Sequence, residues 1–324
     1  FRGEERTSIA RLITVGNYPH NGLSGFAFDA AGNLYFGMGE NLGIPWVLAG
    51  SDGRKEIGGE GGNIFRCRPD GSGLEKIALG CWNPFAMAFD ARGRLFAVDN
   101  DADSRPPCRL LHVVEGGDYG YRFRNGRKGL HPFTSWNGEL PGTLPMVSGT
   151  GEAPSGLVPY EHDAFPPEYR GTLLCTSWGD HRIQRFALAP KGASFASVPE
   201  TIVLGGEFFR PVALALAPDG SLFMTDWVDK SYTLHGKGRI WRLRAKAPGT
   251  KPSVSRCPPD SPALLRMKEV PSATSKESLP GLLTLLGDPD PFLVSAAIGT
   301  LARVGGAPYL LEQSPTRPVF LAAT

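Results

Sequence analysis

The chain has 324 residues, 41% of them hydrophobic and 20% charged, which is enough to bury a large core and more than one domain. A formal net charge of +2 with no basic stripe interleaved with aromatics argues against nucleic acid as a partner. The longest apolar runs fall far short of the roughly 20 residues a bilayer helix needs, and the five cysteines form no C-x-x-C, which excludes a zinc ribbon and a c-type haem attachment.

The chain opens on Phe1, and residues 9–15 read as the outer strand of an earlier sheet unit, so a piece of a longer protein is expected. Residues 25–40 (GFAFDAAGNLYFGMGE) predict a strand, a tight turn closed by Gly32 and a return strand. The Gly-rich run 58–62 reads as a flexible loop, because no helix and no G-K-[ST] follows it. Residues 80–124 repeat the pattern: a strand over 85–89, an Asp-Ala-Arg-Gly turn, a return strand over 95–98, an acidic loop over 99–104 and a third strand over 109–114. A polar insertion over 125–159 is expected to be a lid, a binding segment or disorder.

Residues 171–180 keep only the return strand, and 211–226 (PVALALAPDGSLFMTD) restore the whole unit. The turn glycines lie 93 − 32 = 61 and 220 − 93 = 127 residues apart, one and about two periods. A long period filled with short strands predicts an all-β chain, a β-propeller with about four blades present here and six in the full protein. The third and fourth blades are expected over 157–204 and 210–244. The propeller would thus span 1–247, followed by a proline-rich linker over 248–262. Over 263–324 helical spacing in 277–286 and 292–304 predicts the start of HEAT-like repeats, with Asp290 capping the second helix and Pro291 at its first position.

If each first strand runs down a central channel and each second strand returns, the loops before the first and after the second meet at one funnel. They carry His20, Trp82, Asn83, Asp99, Asn100, Asp101, Asp103, Trp178, Asp180, His181, Arg210, Asp226, Trp227 and Asp229. His20 is the candidate base, against a plain surface histidine. Asp99, Asp101 and Asp103, with Asn100, have the 1, 3, 5 spacing of a calcium loop, although Ser104 and Leu110 exclude an EF-hand; the alternative is a solvated acidic turn. Trp178, Asp180, His181, Trp227 and Asp229 suit carbohydrate, flat rings beside hydroxyl acceptors, while Trp227 equally suits a wedge between blades. Cys81 and Cys108 either pair or stay free thiols.

Read as blades, GCWNPFAMAFDARGRLF, RLLHVVEGGDYGY, FRPVALALAPDGSLFMTDW and GKGRIWRL resemble the glucose/sorbosone dehydrogenase family, propellers that use pyrroloquinoline quinone (PQQ). With helices behind them, they are similar to planctomycete-type membrane-bound dehydrogenase propellers, which precede HEAT repeats and often a c-type cytochrome domain. The resemblance implies a quinoprotein dehydrogenase oxidising a sugar or similar alcohol, exported or periplasmic, with a c-type cytochrome as electron acceptor. It implies PQQ on a calcium ion in the funnel, a histidine taking the substrate proton, and cofactor contacts at Asn83, Trp82 (where the family has arginine), Arg210 and Asp226. Val212 stands at the family's second arginine position. The competing expectations are a non-catalytic glycan- or protein-binding propeller, and a metal-dependent lactonase using Glu40, Asn41, Asn83 and Asp226.

Overall fold

The computed structural model describes residues 7–18, 22–103, 105, 107–246, 254–273 and 275–304. His20 and Ser104 lie outside them. Four antiparallel sheets follow one another along the chain. Blade 1 consists of Leu23–Phe28, Leu34–Met38, Gly62–Cys67 and Glu75–Cys81, with Gly117–Asp118 added in parallel at its outer edge. Blade 2 consists of Asn83–Phe89, Leu95–Asn100, Arg109–Val113 and Ser148–Gly149. Blade 3 is Pro154–Tyr160, Thr172–Ser177, Arg182–Phe186 and Pro199–Leu204, and blade 4 is Pro211–Leu216, Leu222–Asp226 and Arg239–Leu243.

The first strands of successive blades are neighbours, which sets the sheets side by side. Among the described residues they do not close into a ring. The turns explain why the strands double back where they do. Asp90 accepts the N–H groups of Arg92 and Arg94 at 2.9 and 3.0 Å, and Asp29 does the same for Ala31 and Asn33 at 2.9 and 2.8 Å. Gly93 and Gly32 sit at φ of 72° and 86°, where a side chain would be strained.

Two expectations need correction. Blade 3 starts at Pro154, inside the stretch expected to be an insertion, and that stretch also supplies the outer strand of blade 2. Its remainder folds back on blade 2, with Trp136 over the Arg109 guanidinium at 3.6 Å. The early strand, Ala10–Thr14, pairs with Trp46–Gly50 of a hairpin inserted within blade 1. That sheet covers one face of blade 1 through Trp46, Leu48, Leu34, Phe36 and Phe65. Of the two alternatives for Cys81 and Cys108 the structure has free thiols, as it has at the other three cysteines.

Among the described residues the C-terminal segment has three α-helices: α1 (Pro262–Glu269), α2 (Leu279–Leu285) and α3 (Pro291–Arg303). Only the last two were expected; α1 is eight residues long, too short for its periodicity to stand out. Asp290 caps α3 as expected, accepting from Phe292 N at 2.9 Å. Leu264, Met267, Phe292 and Leu293 enter the same core as Phe96, Leu111 and Phe195, so the helices are docked on the blades. None of the helices among the described residues is long and apolar enough to cross a membrane.

Candidate functional site

The acids that recur at strand ends are first of all structural. Asp99 closes the second strand of blade 2 and is fully buried; it accepts the N–H groups of Trp82 and Asn83, the latter at 2.7 Å, and binds Arg109 at 2.5 Å. Asp226 holds the same place in blade 4. It accepts Arg210 N at 2.8 Å, Arg239 Nη2 at 2.8 Å and Trp241 Nε1 at 2.9 Å. In both blades the arginine begins the third strand, directly opposite the aspartate. An acid at the end of one strand thus ties the start of the strands on either side.

This staple removes Asp99 from any calcium loop, because its oxygens are committed to a guanidinium and two amides. Asp103 is paired with Arg127 at 3.0 Å. Asn100 donates to Asn83 O at 3.4 Å. Only Asp101 remains without a basic partner among the described residues, so the expected calcium set does not fit as a set. The lactonase set is dispersed in the same way: Glu40 accepts from Gly43 N and Gly61 N, Asn41 donates to Thr14 Oγ1 at 2.9 Å, and Asp226 is stapled as above.

Between blades 2, 3 and 4 the structure has a cavity of about 380 Å³, lined by Asn83, Phe85, Asn100, Ala153, Pro154, Ser155, Trp178, Val212, Trp227 and Tyr232. Residues from blades 2, 3 and 4 therefore converge, which was the expectation for Asn83, Asn100, Trp178 and Trp227. Trp178 stacks on Tyr232 with centroids 5.7 Å apart and planes 11° from parallel. The Trp227 indole donates to Ser231 O at 2.6 Å and meets His235 edge-on at 4.8 Å.

The other expected residues lie outside this lining. Trp82 is buried in an aromatic cluster with Tyr121 at 5.2 Å. His181 Nδ1 bonds Phe209 O at 2.9 Å, Asp180 holds Arg182 and Glu152 N at 2.6 and 2.9 Å, and Asp229 pairs with Lys237 at 3.0 Å. Arg210 is 4% exposed behind Trp178, its Nη1 donating to Trp178 O at 3.1 Å and its guanidinium 4.5 Å from that ring. Phe85, Ser155 and Tyr232 were missed; the first strand of blade 3 would have been visible from Pro154, which matches Pro84 and Pro211 near the start of their strands.

Meander sheets ranked with their first strands adjacent, and a cavity at one end of those strands, define the chain as a propeller-type protein. Residues 2–247 match the family described as Domain of unknown function (DUF7133), and the chain belongs to that family. None of the curated proteins matches it. Among solved structures it is similar to a glucose dehydrogenase at 20% identity and TM-score 0.52, over 72% of this chain and 66% of that one. A crystal structure of a glucose dehydrogenase matches at 18% identity and TM-score 0.49, over 68% and 63%. The PQQ-bound form of an aldose sugar dehydrogenase from Streptomyces coelicolor matches at 20% identity and TM-score 0.44, over 71% and 83%. The chain thus spans 66% and 63% of the two glucose dehydrogenases. The likeness at 0.52 shows a shared propeller fold.

PQQ carries three carboxylates, and the lining can be tested against them. Among the described residues it holds no lysine, arginine or histidine. Val212 and Trp82 stand where the resemblance implies arginines, and the Arg210 guanidinium is turned to backbone carbonyls. The described residues do not fit this cofactor.

Proposed function

We propose that the cavity between blades 2, 3 and 4 binds a neutral sugar or polyol, making this a carbohydrate-recognising propeller. The observation that carries the reading is the lining itself: the paired Trp178 and Tyr232 rings, the amides of Asn83 and Asn100 and the Ser155 hydroxyl, without a charged group. Aromatic faces take the C–H face of a pyranose, and neutral amides and hydroxyls exchange hydrogen bonds with its hydroxyls.

A second reading is an oxidoreductase that turns the same sugar over with PQQ and calcium, passing electrons to a c-type cytochrome outside the cytoplasm. The propeller fold shared with a glucose dehydrogenase supports it. The cation-free lining weighs against the cofactor, so no step is routed through it.

Calorimetric titration of the full chain with a panel of aldoses, and separately with PQQ and calcium, tests both. Heat with a sugar and none with PQQ is the expected result. PQQ retention followed by sugar-dependent dye reduction would establish the second reading, and silence in every titration would overturn both.

A further inference from the structure

We propose that Asp101, Cys108 and Glu152 form a binding site for a divalent transition-metal ion of the zinc class, between blades 2 and 3 at the edge of the funnel cavity. One carboxylate oxygen of each acid and the Cys108 sulfur lie within 4.8 Å of one another. The three come from different segments: the residue after the second strand of blade 2, the residue before its third strand, and the loop entering blade 3. Three points so spaced fit in a circle of radius 4.8/√3, about 2.8 Å, so a central cation needs each donor to close in by under about one ångström to reach ordinary zinc–oxygen and zinc–sulfur lengths.

The electrostatics of the place call for a cation. The charged groups acting on Glu152 are Asp101, Asp180 and Asp103, and those acting on Asp101 are Asp103 and Asp99. The nearby cations Arg127 and Arg182 are bound to Asp103 and Asp180 instead. Burial first, and then this mutual repulsion, push both carboxyls above the usual carboxylate range.

The thiol is a separate observation pointing the same way. Cys108 is 1% exposed, yet its sulfur faces polar groups: Glu152 Oε2 lies 3.7 Å away, and the Asp101 N–H is directed at it from 3.3 Å. An N–H aimed at sulfur favours thiolate, the form that ligates metal. Burial and the two acids hold that thiol protonated, so an incoming cation must displace its proton. A thiolate among carboxylates suits zinc, cobalt or a similar ion and disfavours calcium or magnesium, which take oxygen alone. Three protein donors leave a position open. Asn100 and Ala153, the neighbours of Asp101 and Glu152, line the cavity, so the proposed site borders it.

The test uses the full chain after chelation and dialysis, titrated with Co²⁺ by absorption and with Zn²⁺ and Ca²⁺ by calorimetry. The expected result is one Co²⁺ per chain with a thiolate-to-cobalt charge-transfer band, displaced by Zn²⁺ and untouched by Ca²⁺. Cys108→Ser should abolish the band. Glu152→Gln, at an exposed residue that can change without unfolding the blade, should weaken Zn²⁺ by about tenfold or more. Absence of the band in the unaltered protein, its survival in Cys108→Ser, or Zn²⁺ affinity unmoved by Glu152→Gln would each overturn the proposal.

Discussion

Asp99 and Arg109 face each other on adjacent strands of blade 2, both fully buried, with carboxylate and guanidinium 2.5 Å apart. Arg109 also donates to Tyr119 O and Trp136 O, each at 2.8 Å, so the pair anchors the long loop as well as the blade. Removing one partner leaves the other as an uncompensated buried charge, typically a loss of about 3–5 kcal/mol. Asp99→Asn and Arg109→Met should each lower the denaturant midpoint by an equivalent amount. The loss should be the same with and without calcium; a larger loss for Asp99→Asn in the presence of calcium would show a ligand role.

His112 is the acid-sensitive point of the helix–blade seam. Its ring stacks on Phe96 at 5.3 Å and on Phe292 of α3 at 5.8 Å, and Nδ1 lies 3.2 Å from Ser194 Oγ. Burial first, then the positive Arg94 and Lys268, lower its pKa to about 3, against the opposing pull of Asp260. The unfolded chain takes up a proton below about pH 6.5 that the folded chain refuses, so this contribution is complete above that value. It is lost as pH falls towards 3, at up to about 1.4 kcal/mol per pH unit. Urea midpoints of the unaltered protein should therefore fall more steeply on acidification than those of His112→Phe. Parallel slopes would show that the ring is already charged in the fold.

The cavity wall separates binding from stability. Tyr232 is 71% exposed, so Tyr232→Ala should leave unfolding within about 0.5 kcal/mol while weakening sugar binding roughly tenfold. Trp178 supports the Arg210 guanidinium as well as the cavity, so Trp178→Ala should lose both affinity and stability. Calorimetry with the best sugar of the panel, beside chemical unfolding, distinguishes the two. Unchanged affinity in both variants would move the ligand away from this wall.

What the sequence shows and hides follows from the physics of the blades. Apolar strands flanking a four-residue turn that ends in glycine, Asp-x-x-Gly in blades 1 and 2 and Ala-Pro-Asp-Gly in blade 4, announce a hairpin locally, so these blades were legible at Gly32, Gly93 and Gly220. Blade 3 lacks that turn: its first two strands are joined by 161–171, which packs Phe165 against Tyr160 at 4.7 Å. The proline near the start of each first strand, Pro84, Pro154 and Pro211, was the surviving signal. Loop residues converged as expected at Asn83, Asn100, Trp178 and Trp227. The acids misled, because Asp99 and Asp226 look the same in sequence whether they face a ligand or an arginine ten or thirteen residues later. Pairing of that kind depends on strand register, which a loop of unknown path conceals.

Arg94 ties the segment before α1 to the turn of blade 2. Its side chain is 1% exposed and binds Asp90 at 2.6 Å and Asp260 at 3.1 Å, with further bonds to Pro258 O at 3.0 Å and Cys257 Sγ at 3.1 Å. The guanidinium also lies 4.4 Å from the Phe195 ring. Without it, Asp90 keeps its turn amides and loses its buried cation, while the 254–261 segment loses its main polar attachment. Arg94→Met should thus cost about 3–5 kcal/mol. It should also open the chain near residue 257 to a protease before the blades unfold, because the bonds from Arg94 to Cys257, Pro258 and Asp260 would be gone while the apolar docking of Leu264, Met267, Phe292 and Leu293 remained. Limited proteolysis followed by mass spectrometry reads this directly. Cleavage confined to the blades, with 254–261 intact, would mean that apolar packing rather than Arg94 holds the helices in place.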